Sequence, residues 1–122
     1  MSLRVAVSLV LLTAAGASAA HADVRAEAKA HVSFGIEVAQ RGLWREAIYR
    51  WEQAVKLDPT YAAAFNDLAI GYEHVGEFEK ALKAYEKALE LEPDNIQIRQ
   101  NYDLFREVNE RIGTEKEQEN RP

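Results

Sequence analysis

Three observations predict an all-α fold: antiparallel helix-turn-helix repeats stacked as an α-solenoid and closed by a C-terminal capping helix. Residues 42–59, GLWREAIYRWEQAVKLDP, are written again as residues 76–93, GEFEKALKAYEKALELEP, at a shift of 34 residues. Apolar positions recur at helical spacing within each copy. Each copy is also bounded by a glycine at one end and a proline at the other, residues that interrupt helices. A fixed period in the range of about 20 to 50 residues marks stacked supersecondary units, none of which buries its apolar face alone.

The shift pairs Gly42 with Gly76, Ala47 with Ala81, Glu52 with Glu86, Ala54 with Ala88, Leu57 with Leu91 and Pro59 with Pro93. It extends upstream without a gap, setting Ala28, Ala30 and Ile36 on Ala62, Ala64 and Ile70. Two units follow, residues 28–61 and 62–95, inside a domain of residues 23–112.

Residues 1–22 differ in kind from the rest. Arg4, the apolar run Val5 to Leu12 and a stretch of small residues ending in Ala20-His21-Ala22 make an n-region, an h-region and an A-x-A site. The apolar core is too short for a membrane span, which needs about 20 predominantly apolar residues. A cleavable signal peptide is expected, and with it export to a periplasmic or extracellular location. From Val24 the apolar spacing predicts a helix to about Gln40, ended at Arg41-Gly42 because glycine tolerates the left-handed conformation that terminates helices. Trp44 to Leu57 is the second helix, stopped at Asp58-Pro59, with Pro59 expected in the first turn of the next helix. Thr60 to Val75 and Phe78 to Leu91 repeat the scheme. Asp94 to Ile112 reads as a last amphipathic helix stopped by Gly113, and residues 113–122, with no apolar residue before Pro122, are expected to be a disordered polar tail.

Charge and composition narrow the functional classes. The formal charge is −5, and residues 1–22 contribute only the positive Arg4 to it. Such a surface repels nucleic-acid backbones and anionic membranes, so no nucleic acid and, after cleavage, no membrane is expected as partner. The absence of cysteine removes disulfides, thiolate metal sites and cysteine nucleophiles together. No G-x-S-x-G turn and no glycine-rich phosphate loop is present. Glu27 and His31, one turn apart, supply two metal ligands where a structural site wants four and a catalytic one three. No catalytic residue, metal or cofactor is expected.

With its 34-residue unit and its small, aromatic and proline positions, the chain resembles the tetratricopeptide repeat family. Gly35 and Ala69 are small where the two helices of a unit approach, as are Ala47, Ala54, Ala81 and Ala88. Trp51 and Tyr85 are the bulky knobs, while Trp44 and Phe78 pack at the turn. The chain departs from the family pattern at His31 and Phe65, where tryptophan is frequent, and at Asp103 and Arg106, which mark Asp94 to Ile112 as a cap with a polar outer face.

The resemblance implies a concave binding surface lined by the first helix of each unit. Carried over by position, its residues are Lys29, Val32, Ile36 and Gln40 from the first unit, and Ala63, Asn66, Asp67, Ile70, Glu73 and His74 from the second. Gln97, Gln100, Asn101 and Leu104 come from the cap. Val32 and Ile36 stand where carboxylate-clamping members carry polar or basic groups, so a different ligand is implied. The resulting expectation is a non-catalytic exported adaptor that binds a peptide or helix of another protein. The alternative is a structural protein of the cell envelope that associates with itself.

Overall fold

The computed structural model describes residues 11–122, with side chains from residue 16 onward. The n-region and most of the apolar run of the expected signal peptide, residues 1–10, lie outside the described residues. Five helices follow one another among the described residues: α1 (Leu11–Gln40), α2 (Trp44–Leu57), α3 (Ala62–His74), α4 (Phe78–Leu91) and α5 (Ile96–Glu119). α1 pairs with α2 and α3 with α4 as antiparallel hairpins. α2 packs on α3 and α4 on α5, so that α1, α3 and α5 form one layer of the stack.

Both hairpin turns are built by the same device. Gly42 and Gly76 adopt φ of 79° and 76°, a region closed to most side chains. This lets Leu43 N–H reach back to the Val38 carbonyl at 3.0 Å and Gly42 N–H to that of Ala39 at 2.8 Å. The second turn copies the pattern, with Glu77 N–H to Tyr72 and Gly76 N–H to Glu73. These are Schellman closures, which satisfy carbonyls that the end of a helix leaves without partners.

Between the units the chain turns on proline. Pro59 is not in the first turn of α3, as the sequence suggested, but at the second position of the turn Asp58–Tyr61, closed by Tyr61 N–H on the Asp58 carbonyl at 3.1 Å. Its fixed φ suits that position and the turn asks nothing of its missing N–H. Asp58 is buried; its carboxylate accepts from Thr60 N–H at 3.0 Å and Thr60 Oγ1 at 2.6 Å, and pairs with Arg25 of α1. The turn is thus tied to the opposite end of its own hairpin. Burial alone pushes the Asp58 carboxyl up, but the Arg25 and Thr60 bonds outweigh it and hold the group at about 2.

The core is small and alanine-rich. Ala28, Ala47, Ala54, Ala64, Ala69, Ala81 and Ala88 have no exposed surface, and the space around them is filled by Trp51, Tyr85, Leu68, Tyr72 and Phe105. Trp51 leans on two backbones at once. A Cβ added to Gly35 would lie 2.4 Å from its Nε1, and one added to Gly71 would lie 2.9 Å from its Cζ3. Its indole N–H donates to the Val32 carbonyl of α1 at 3.2 Å.

Two helix ends differ from the expectation. α1 begins at least at Leu11 instead of Val24, and residues 16–23 are exposed on it. α5 runs through Gly113 to Glu119 instead of stopping at Ile112, so most of the expected disordered tail is helical. A single interior glycine costs only about 1 kcal/mol. Arg106–Glu110 and Glu107–Arg111 pairs at 2.9 and 2.8 Å brace the preceding turns, and Glu115, Lys116, Glu117 and Gln118 are strong helix formers.

Gly35→Ala and Ala54→Trp are expected to destabilise the fold by about 1–3 kcal/mol or more, because neither site has room for added atoms. Lys83→Ala, on the exposed side of α4, should stay within about 0.5 kcal/mol. Thermal melts followed by circular dichroism check this; equal midpoints for the three variants would show the packing register to be wrong.

Candidate binding groove

One layer of helices exposes a ladder of apolar side chains. Ile36 on α1, Ile70 on α3 and Leu104 on α5 occupy the same register position; Ile36 is 42% exposed, Leu104 62%, and Ile70 is half-buried between them. A depression of about 300 Å³ lies on one side of Ile70, lined by Ile36, Ala39, Gln40, Trp44, Trp51 and Asp67. A second of about 440 Å³ lies on its other side, lined by Glu73, Phe78, Tyr85, Asn101, Leu104, Phe105, Val108, Asn109 and Ile112. The two are one structural element used twice. Moving by one repeat carries Ile36 to Ile70, Ala39 to Glu73, Trp44 to Phe78, Trp51 to Tyr85, Asp67 to Asn101 and Ile70 to Leu104.

Of the residues expected on the concave face, Ile36, Gln40, Asp67, Ile70, Glu73, Asn101 and Leu104 line these depressions. Val32 does not. It is 6% exposed and belongs to the core beneath Trp51, because α1 turns that face toward α2. Asn66 is likewise buried, and its Oδ1 accepts from Asn101 Nδ2 at 3.1 Å, a bridge that fastens α5 to α3. Lys29, Ala63, Gln97 and Gln100 are exposed and line neither depression. His74 stacks on Trp44 at 3.6 Å with the rings 6° from parallel. Sequence reasoning placed Trp44, Phe78, Trp51 and Tyr85 in packing roles only; their recurrence one repeat apart was the signal that they also wall a recurring pocket.

The polar groups of the groove are acidic. Asp67 is half-buried among Trp44, Trp51, Ile36 and Ile70, and desolvation pushes its carboxyl up to about 6 against the smaller, lowering influence of the neighbouring Asn66 side chain. Glu73 accepts from the Tyr85 hydroxyl at 2.7 Å. Burial first, and this bond second, push the Tyr85 hydroxyl well above its ordinary value. Among the described residues no lysine or arginine lies within ion-pair distance of Asp67 or Glu73. No group of three histidine, aspartate or glutamate side chains among them is placed to hold a metal ion, and no helix is long and apolar enough to cross a membrane.

The family model described as "Tetratricopeptide repeat" matches residues 62–95, which are α3, α4 and their flanking turns. Residues 62–95 are thus a tetratricopeptide repeat. The chain is 31% identical over 80 residues to the tetratricopeptide repeat domain-containing protein PYG7, chloroplastic, of Arabidopsis thaliana, a match covering 66% of this chain and 27% of that protein. Among solved structures it resembles the crystal structure of MamA, with a TM-score of 0.64 and 30% identity over 68% of this chain and 48% of that one. The chain thus spans about a quarter of the first relative and about half of the second.

The charge of Asp67 sets a pH dependence. Its folded-state pKa lies above the unfolded value of 3.8, so the folded state binds the proton more tightly and stability rises as pH falls from above 6 toward 4. Asp58 acts in the opposite sense. Its depressed pKa contributes stability above 3.8 that is lost as pH falls toward 2. Asp67→Asn is expected to raise the melting temperature at pH 7.5 by several degrees and to converge with the parent near pH 4. Melts across that range check it, and an offset between the two proteins that is the same at pH 4 and pH 7.5 overturns the assignment.

Proposed function

We propose that this tetratricopeptide repeat module captures a segment of a partner protein on the face formed by α1, α3 and α5, without catalysis. The observation that carries the reading is the pair of adjoining apolar depressions on either side of Ile70. Ile36 and Leu104 stay exposed in a chain whose register-matched alanines Ala47 with Ala81 and Ala54 with Ala88 are fully covered. Apolar side chains held open in a row are the pattern of a groove that receives a partner's anchors. We further propose that the module works after export. That reading rests on the n-region, h-region and Ala20-His21-Ala22 order, and on the exposure of residues 16–23, which the core does not use.

Self-association in the cell envelope is the second reading, favoured by Phe34, Leu43 and Tyr49, which leave an aromatic and aliphatic surface open on the first unit. Part of it is already covered, since the Arg50 guanidinium lies 4.5 Å over the Phe34 ring.

Ile36→Glu combined with Ile70→Glu is expected to abolish capture of partners from an envelope extract while leaving the helical signal and the mass in solution unchanged. A double variant that recovers the same partners as the parent would refute the groove as the functional site. Intact-mass measurement on the exported protein should show a chain beginning at Asp23; a mass that still includes Met1 to Ala22 would sink the export reading.

A further inference from the structure

We propose that the groove's partner is a basic amphipathic helix that seats two apolar side chains about two turns apart in the two depressions and pairs lysine or arginine with Asp67 and Glu73. This rests on the groove reading above and adds to it the conformation and charge of the partner.

Spacing selects the conformation. Packed helices lie about 8–10 Å apart, so pockets one repeat apart are separated by about that distance. An α-helix rises about 1.5 Å per residue, which brings side chains seven residues apart onto one face at about 10.5 Å. An extended strand returns to the same face every two residues, at about 6.7 Å or about 13 Å, and fits neither value. Of these two, the α-helix has the period closer to the repeat.

Charge selects the flanks. Both carboxylates come from α3 and stand one turn before and one turn after Ile70, the ridge shared by the depressions. Each depression therefore holds one acid beside an apolar floor, and no cationic side chain among the described residues is paired with either. A cation arriving beside Asp67 offsets the desolvation of its carboxylate by the aromatic surroundings, and a net charge of −5 favours a basic ligand at longer range. Neither end of a second copy supplies these groups. Residues 16–23 of α1 contain no lysine or arginine, and residues 113–121 contain no apolar side chain. The occupant proposed is a segment of another protein.

The test is selection of displayed, randomised 20-residue helix-forming peptides on the full chain, with dissociation constants read from Trp44 and Trp51 fluorescence. Enriched peptides should carry two large apolar residues about seven apart with lysine or arginine beside them. Asp67→Asn and Glu73→Gln, which keep the neighbouring hydrogen bonds, should each weaken binding about tenfold, the worth of one charge-assisted contact. Enriched peptides without lysine or arginine, or with undiminished binding to both acid variants, overturn the proposal; loss of those same peptides on Ile70→Glu leaves the groove itself standing. Peptides indifferent to Ile70→Glu refute the groove as well, and failure to enrich any peptide on the parent overturns both.

Discussion

Trp51 holds the structure together by occupying a space that exists only because two other residues have no side chain. Its indole lies against Gly35 of α1 on one side and Gly71 of α3 on the other, and its N–H is satisfied by the Val32 carbonyl. One ring thereby fixes the approach of α2 to α1 within a unit and of α2 to α3 between units. The second unit solves the same problem with different volumes. Tyr85 stands for Trp51, Ala69 for Gly35 and Phe105 for Gly71, with Tyr85 and Phe105 rings 5.5 Å apart. A smaller ring goes with a larger neighbour on each side, so the volume is roughly conserved while the partners change.

The same substitutions shape the groove. Trp51 and Tyr85 each form part of a depression, so the residues that set helix spacing also set what the surface can hold. In the second unit the tyrosine hydroxyl needs an acceptor, and Glu73 supplies it at the position where the first unit has Ala39. A packing requirement in the core thus puts a carboxylate in the lining of the larger depression. Asp67 has no such structural duty. Its carboxylate is held among apolar groups at a cost in stability.

How much of this could be read from the sequence follows from which features repeat. The helix hairpins, the glycine closures and the knob positions recur at one period, and the chain's own second copy supports each reading of the first. Groove residues were legible only in part, because register places a position on a helix without saying how that helix is rotated. Val32 and Asn66 fall on the correct helices and are nonetheless buried, one under Trp51 and the other in a bridge to Asn101. The extension of α5 was illegible for a different reason. Gly113 is a breaker by propensity, but a weak one in a segment where Arg111, Glu115, Lys116 and Glu117 favour a helix.

α5 is where stability and binding meet. It buries only Ile98 and Phe105 fully, leaves Ile96, Leu104 and Val108 exposed, and is fastened to α3 by the Asn66–Asn101 hydrogen bond. Arrays of this kind draw their stability from interfaces between neighbours, and the terminal element has one neighbour fewer. The least anchored helix nevertheless supplies Leu104, Val108, Asn109 and Ile112 to the larger depression. A ligand seated there covers apolar surface that the fold leaves open and adds contacts to the element that has fewest. Under the proposed function, binding there stabilises the fold by mass action, so affinity and stability are linked through the same side chains. On the proposed groove reading, an occupant of the α1, α3 and α5 face thus supports the helix that the fold itself holds least.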